Sequence, residues 1–575
     1  MYKDMTDHTT PPNPDQIAPM AREKTMRHGG HILLESLMNL GATHGFGVPG
    51  ESYLAALDAM YDSGFDFTLC RQEGGAAFMA AAYGKLTGRP GICFVTRGPG
   101  ATNAAIGVHS AHQDSSPMIL FVGQVGTTYL DREAFQEVNY RDVFGGLAKW
   151  VTQIDDIERL PELVARAWSV ALSGRQGPVV VALPENMLSA QSDVPACQPG
   201  AVPRPAPAAH DITAIFGALA KAKRPIIIAG GGNWDETGRA DLQKFAERLA
   251  LPVAASFRCH DVIDNHSPSY CGDAGVAMHP SLSAILQKSD LIFAINIRFG
   301  EMVTKEWSLF DVPHMKATLL HAHISSDEIG KIYQPDVAIQ ACPNLLMAGL
   351  CDQLDNHQGA QETSHDAWQD HCRKAWLAAI QPPPQNTKLD MADIITMMDQ
   401  IVADDAIITH GAGNFAIWPD KFMHFGKRRL LAPQSGAMGY GLPAAIAAGK
   451  AAPDKQIICF AGDGDIQMTL SELGTVMQQG LKPVILIFNN GSYGTIRMHQ
   501  ERHYPERVSG TSLANPDFKA LASAYGFDCD VIGDTASFKP AFIKALAADR
   551  ATILELQMDV EAISPHMTIT KLRQG

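Results

Sequence analysis

Short apolar runs alternate with helical patterns in three successive stretches of this 575-residue chain. The first stretch, from about Gly29 to Ser189, holds the runs Phe65–Leu69, Gly91–Thr96, Met118–Val122 and Val179–Leu183. The second, from about Asp211 to Leu350, opens on Pro225–Ala229, with Gly230, Gly231 and Gly232 behind it. The third, from about Leu389 to Val560, holds Ala406–Thr409, Gln456–Ala461, Pro483–Asn489 and Thr552–Leu556. Strand-length apolar runs alternating with helices are the mark of parallel α/β domains. The pattern therefore predicts an α/β protein of three doubly wound, parallel-sheet domains at 28–190, 210–350 and 389–560. A Pro- and Ala-rich stretch at 191–209 reads as a linker, and a polar one at 351–388 as a second. Tails at 1–27 and 561–575 complete the division. No short-period repeat is visible, and the sequence does not show whether the outer domains share an architecture.

Composition narrows the class little. The apolar fraction, 46%, is ordinary for a globular chain. The 46 basic against 61 acidic residues, a formal charge of −15, argue against nucleic acid and anionic membranes as partners. Ten cysteines without a CxxC pair fit free thiols in a reducing compartment. The first 27 residues are polar and carry Pro11, Pro12 and Pro14, unlike a signal peptide, and no 18-residue apolar run is present. The expected location is the cytoplasm.

The strongest constellation is Cys459-Phe-Ala-Gly-Asp-Gly-Asp-Ile466, a helical stretch near Thr469–Gly480, then Pro483-Val-Ile-Leu-Ile-Phe-Asn-Asn490. In a right-handed βαβ unit both strands end on one edge of the sheet. Asp463 and Asn490, 27 residues apart, then converge in the crevice where such sheets bind ligands. A carboxylate, an amide oxygen and a backbone carbonyl near Ser492 suit magnesium, with phosphate oxygens and water in the other positions. Gly462 and Gly464 permit a tight turn, and the following N–H groups can face a phosphate. Alone, the Gly-Asp-Gly triplet equally fits a strand-end turn; the terminal Asn-Asn after an apolar strand sets it apart.

This stretch resembles the signature of thiamine-diphosphate enzymes, which opens with GDG and closes with NN. The resemblance covers nearly the whole chain and is closest to the acetohydroxyacid (acetolactate) synthase branch, above all over Gly436-Ala-Met-Gly-Tyr-Gly-Leu-Pro-Ala-Ala445. It implies thiamine diphosphate and Mg2+ as cofactors. Asp463, Asn490 and Ser492 would hold the metal, with Gly462, Gly464, Asp465 and Tyr493 around the diphosphate. Gly411-Ala-Gly-Asn-Phe415 is similar to the second diphosphate loop, which places Asn414 and Phe415 along that group. Met438 would be the wedge that bends the cofactor, although a lone methionine is more often core. The carbonyl of Gly436 would accept from the aminopyrimidine. Arg71-Gln-Glu-Gly-Gly-Ala-Ala77 resembles the motif of the activating glutamate and assigns that role to Glu73. A glutamate in a first helical turn is also favoured by the macrodipole alone. In the family the two halves of a site come from different subunits, which implies a homodimer at least; a tetramer is left open.

The substrate pocket follows no single branch. Val48-Pro-Gly-Glu-Ser52 has an acid, Glu51, where the synthases have glycine and pyruvate decarboxylases have aspartate; such an acid could protonate an intermediate and favour aldehyde release. Phe135 and Gln136, in Ala134-Phe-Gln-Glu137, resemble the synthase pocket lining. His499 stands where the synthases have tryptophan, and with Arg497 it reads either as a carboxylate contact or as solvated surface. His109 and His112 read as a polar helix face rather than a metal site. In the middle domain Gly230–Gly232, Met278-His279 and Arg298-Phe299 partly match flavin contacts, but no second arginine follows Phe299. The middle domain is left open among FAD, ADP and nothing.

The resemblance implies decarboxylation of a small, pyruvate-like 2-oxo acid and carboligation of the remaining fragment to an aldehyde or ketone. The alternatives are a decarboxylase that releases an aldehyde and a flavin-dependent oxidoreductase.

Overall fold

The computed structural model describes residues 26–276, 278–356, 365–383 and 387–574, so the expected amino-terminal tail lies almost wholly outside it, and the polar linker partly so. Three six-stranded sheets carry the chain. The first comprises β1 (His44–Gly47), β2 (Asp66–Leu69), β3 (Gly91–Val95), β4 (Met118–Gln124), β5 (Trp150–Gln153) and β6 (Pro178–Pro184), in the order β2-β1-β3-β4-β6-β5. The second comprises β7 (Pro225–Ala229), β8 (Val253–Ser256), β9 (Tyr270–Ala274), β10 (Leu291–Ile295), β11 (Thr318–His323) and β12 (Val337–Gln340), in the order β9-β8-β7-β10-β11-β12. The third comprises β13 (Ile407–His410), β14 (Arg429–Leu431), β15 (Ile457–Gly462), β16 (Val484–Asn489), β17 (Asp528–Ile532) and β18 (Thr552–Gln557), in the order β14-β13-β15-β16-β18-β17. All pairings within the three sheets are parallel. The fold is three doubly wound α/β units, and the outer two share one strand order.

The central strands form where the apolar runs are unbroken. Every residue of β3, β4 and β6 is buried, because helices cover both faces. Helix α1 (Glu73–Thr87) shows how one connection is fixed. The Gln72 side chain accepts the Gly75 N–H at its start, and Gly88 at φ 69° ends it in the left-handed region. Its Ala76, Ala77, Ala80 and Ala81 are fully buried. They share one core with Ala444, Ala445, Ala447 and Ala448 of α3 (Gly441–Ala451), and small side chains let the two helices come close. Phe78 meets Tyr440 edge-on at 5.5 Å across this seam. The first and third units are thus joined inside one chain.

Two stretches depart from the sequence reading. The polar linker contains a helix, Asp366–Ala379. Its Trp368, Cys372 and Trp376 recur at four-residue spacing and return to the middle sheet, where Trp376 packs edge-on against Tyr270 at 5.0 Å. The narrow apolar stripe was hidden by the charged composition around it. The last residues are not a loose end either. Ala562–Ser564 pairs with Met567–Thr568, and Ile569–Arg573 is helical.

All ten cysteines are unpaired. Among the described residues no helix is long and apolar enough to cross a membrane.

Candidate active site

In a doubly wound sheet, ligands bind where the strand order reverses, beyond the carboxyl ends of the strands. In the third sheet that point lies between β13 and β15. The segments after these strands, through Ala412–Asn414 and Asp463–Asp465, border a cavity of about 240 Å³, with Gly411 just outside its lining. Asn414, Phe415, Gly436, Met438, Asp463 and Asn490 line it. So do Gly462, Gly464, Asp465, Ser492 and Tyr493.

Asp463 is 2% exposed. Its Oδ2 accepts from the Asn515 amide at 2.7 Å, and no lysine or arginine among the described residues pairs with it. Burial raises its pKa. Asn515 also donates to Asn489 Oδ1 at 2.8 Å, and so ties the ends of β15 and β16 together. Asn490 Oδ1 accepts the Ser492 N–H at 3.1 Å, which turns the loop back over the cavity. Asn515 escaped the sequence reading because it lies in a distant loop with no motif around it.

Asp465 does something other than contact a ligand with both oxygens. Its Oδ1 accepts the N–H groups of Gly439 at 2.9 Å and Ala412 at 3.2 Å. It therefore pins the Met438 loop and the Gly411 loop to the end of β15. A Cβ on Gly411 would fall 2.0 Å from that oxygen, so the position requires glycine. Burial pushes the Asp465 carboxyl up to about 7. Gly436, at φ +67°, has open space where a Cβ would stand, on the cavity side. Asn414 and Thr495 hydrogen-bond reciprocally, at 3.0 and 2.9 Å, and so fix the start of α4 (Gly494–His503). His499 on that helix is exposed, and Arg497 points toward the buried Glu501 at 3.8 Å. The structure brings neither into the cavity lining.

The first sheet has its own reversal point, between β1 and β3. Glu73 opens α1; its carboxylate accepts from Asn103 at 2.9 Å and faces Gly100, where a Cβ would stand 3.4 Å from Oε1. Gly100 belongs to α2 (Pro99–Asp114). The turn that carries Glu73 is held by the third unit. Glu472, fully buried, accepts the N–H groups of Arg71 and Gln72 at 3.1 and 2.9 Å and the Thr475 hydroxyl at 2.6 Å. Glu51 follows β1, and Arg97 follows β3. Arg97 donates to Glu51 at 2.5 Å, to Glu185 at 3.4 Å and to the Phe135 carbonyl at 3.1 Å. Gln136, at φ +63°, rests on Gly98, where a Cβ would stand 2.8 Å from its carbonyl. Glu51 and Phe135 are thus held by Arg97, which the sequence reading passed over, and Gln136 lies on the adjacent Gly98, all at the carboxyl edge of the first sheet that also carries Glu73. No residue of this unit lines the cavity of the third.

In the middle sheet the reversal point falls between β7 and β10. Gly231, Gly232, Asn296 and Arg298 border a cavity of about 300 Å³ there, closed on one side by Arg175. Burial and the neighbouring Arg175 push Arg298 down to about 10. Met278 and His279 lie outside this lining. His112 of α2 is held down to about 4 by burial and by Arg175 and Arg298.

Family models agree with this three-unit layout. The "Thiamine pyrophosphate enzyme, N-terminal TPP binding domain" matches residues 27–143, the central domain 212–350 and the C-terminal TPP binding domain 411–556. The chain belongs to the thiamine pyrophosphate enzyme family. Within it, the chain is 32% identical to the "Acetolactate synthase large subunit" of Corynebacterium glutamicum, over 96% of this chain and 90% of that one. It is 30% identical to the "Acetolactate synthase isozyme 2 large subunit" of Escherichia coli K12, over 92% of this chain and 96% of the other. The "Probable acetolactate synthase large subunit" of Methanococcus aeolicus is also 30% identical, over 89% of each. As a thiamine pyrophosphate enzyme, the protein has its two cofactor-binding units at the ends of the chain, the pair that share a strand order.

Proposed function

We propose that the protein decarboxylates a small 2-oxo acid of the pyruvate type and joins the remaining acyl fragment to a second carbonyl compound, in the manner of acetolactate synthases. The observation that carries this reading is the buried Asp463, without a lysine or arginine partner among the described residues, beside Asn490 at a sheet reversal point. A carboxylate in that setting is costly unless a cation accompanies it. The oxygen donors Asp463, Asn490 and the loop at Ser492 fit Mg2+ bridging to a diphosphate. Gly436, Met438, Asn414, Phe415, Gly464 and Tyr493 form the remaining walls. When bound, thiamine diphosphate supplies the electron sink for carbon–carbon cleavage.

The chain's own residues do the rest. With thiamine diphosphate bound, Met438 would pack against it and the Gly436 carbonyl would accept a hydrogen bond from its aminopyrimidine. Glu73, held in place by Asn103 and by the turn that Glu472 clamps, would exchange a proton with the cofactor's pyrimidine nitrogen. The Glu51 carboxylate is held by Arg97, and the similarity to acetolactate synthases speaks for carboligation over aldehyde release.

Glu73 does not line the third-unit cavity that Met438 borders, and this supports a homodimer that brings the Glu73 edge of one copy onto the cavity of the other. Exposed apolar side chains flank both halves: Ile106, which contacts the Glu73 turn at Gly74, Met468 beside Gly439, and Ile496 on the cavity rim. Ten free thiols support a cytoplasmic setting.

The middle cavity fits the diphosphate of a nucleotide, because two guanidinium groups face it with glycines at the reversal point. FAD is the candidate ligand, and Arg298→Ala is expected to lower its retention by at least about tenfold. Flavin absorbance after gel filtration would measure this; an unchanged flavin content would remove Arg298 from the site.

The carboxy-terminal segment is the lid of the third-unit cavity. Ala562 and Ile563 line it, and Arg573 holds the segment down through two hydrogen bonds, 2.9 and 2.7 Å, to the buried Glu501. Arg573→Ala is expected to weaken cofactor binding about tenfold, or about 1.4 kcal/mol, as read from a titration of intrinsic fluorescence. Arg573 holds the Glu501 carboxyl down to about 2. That stabilisation is present above the ordinary glutamate range and is lost as pH falls from about 4.5 toward 2. The lid is therefore acid-sensitive.

The deciding experiment is to supply 2-oxo acids with thiamine diphosphate and Mg2+ and to follow CO2 and products by mass spectrometry. Failure to release CO2 from any of them would overturn the reading.

A further inference from the structure

The first-sheet crevice contains a charged pair that the cofactor does not need. Glu51 follows β1 and Arg97 follows β3, on either side of the reversal point, so both stand at the carboxyl edge that also carries Glu73. The pair is asymmetric. The Arg97 side chain is only 8% exposed, whereas that of Glu51 is 66% exposed. The guanidinium is committed inward, to Glu51, Glu185 and the Phe135 carbonyl. The Arg97 ring contact is with Phe135, 5.9 Å from its centroid, on the pocket-lining loop. What the pair presents to the crevice is therefore the Glu51 carboxylate, held in one place by a guanidinium behind it.

A fixed carboxylate treats the two substrates differently. The donor 2-oxo acid loses its own carboxylate as CO2, so an opposing negative charge is relieved as the carbon–carbon bond breaks. An acceptor keeps whatever charge it carries into the product. If the acceptor is a second 2-oxo acid, two carboxylates face each other throughout, in a crevice that a second chain closes from water. An aldehyde or simple ketone meets no such opposition, and its carbonyl oxygen becomes a hydroxyl that can donate to Glu51.

We propose that the Glu51–Arg97 pair selects the acceptor: it favours a second carbonyl compound without a carboxylate, an aldehyde or simple ketone, over another 2-oxo acid. This rests on the carboligase reading above. In the overall step the bond between the donor's keto carbon and its carboxylate breaks, with release of CO2. A new bond joins that keto carbon to the acceptor's carbonyl carbon. The acceptor oxygen takes up one proton from water, and an uncharged hydroxyketone leaves. No oxidant or reductant enters.

The test is a competition in one vessel. The full-length protein with thiamine diphosphate and Mg2+ receives pyruvate as donor and equal concentrations of pyruvate and propanal as acceptors. The hydroxyketone from propanal and the acetolactate from pyruvate are then counted by mass. The wild-type protein is expected to favour the hydroxyketone by at least about tenfold. Glu51→Gln, which removes the charge and keeps the shape, is expected to move the ratio toward acetolactate by about tenfold or more. Arg97→Gln, which leaves the carboxylate but releases it, should move the ratio less than Glu51→Gln. The ratio is read within each reaction, so a general loss of rate in a variant does not enter it. CO2 release with acetolactate as the main wild-type product overturns this inference and leaves the carboligase reading standing. So does a ratio that Glu51→Gln fails to move. Absence of CO2 from the wild-type protein overturns both.

Discussion

Glu73→Gln is expected to lower kcat by about 10²- to 10⁴-fold, the range that a positioned acid–base group contributes, while thiamine diphosphate and Mg2+ still bind. Glutamine keeps the size and the Asn103 contact but cannot exchange a proton. The direct readout is hydrogen–deuterium exchange at the thiazolium carbon, measured by NMR after acid quench. The exchange should slow in parallel with kcat. Near-normal exchange would remove Glu73 from the activating role, whatever happened to turnover. A second variant separates activation from placement. Glu472→Ala removes the carboxylate that accepts the Arg71 and Gln72 N–H groups. It should slow exchange with Glu73 intact, and Glu472→Gln, which still offers an oxygen, should recover part of it.

The second large effect concerns the metal. Asp463→Ala is expected to weaken cofactor binding by more than about 100-fold, beyond what loss of an outer-shell partner costs. Exhaustive chelation of the wild-type protein should strip thiamine diphosphate along with Mg2+. The ligand content after dialysis is counted by mass spectrometry. Retention of thiamine diphosphate without divalent metal would contradict the proposal that Asp463 and Asn490 hold a metal for it. Asn515→Ala tests the same site one step out. It leaves Asp463 in place but removes the amide that fixes it, so about a 10- to 100-fold loss is expected.

What the sequence revealed of this site follows from distance along the chain. Asp463 and Asn490 end two strands joined by one crossover, and the geometry of that unit is fixed enough to bring them together on paper. Glu73 stands at a strand-to-helix turn that was visible as an apolar run followed by a helical pattern. The nine expected strands were legible because their apolar runs are continuous, with observed bounds within a residue or two, whereas most of the middle sheet was not read in advance. Arg97, Asn515 and Glu472 were not legible. Each acts through partners dozens or hundreds of residues away, and only the packing of sheets and helices brings them there. Arg497 and His499 were left open between a carboxylate contact and solvated surface. They lie close to Asn490 in sequence, yet α4 turns Arg497 toward Glu501 and leaves His499 exposed. The helix Asp366–Ala379 was missed because its narrow apolar stripe sits among charges, and only its fit to the middle sheet makes it stable.

The shared strand order of the outer sheets has a historical implication. The carboxyl edge of one sheet carries Glu73, and that of the other carries Asp463 and Asn490. A single ancestral unit, copied and fused in tandem, would have begun with two equivalent crevices. Divergence then needed only loop residues: a glutamate after β2 in one copy, an aspartate and an asparagine after β15 and β16 in the other.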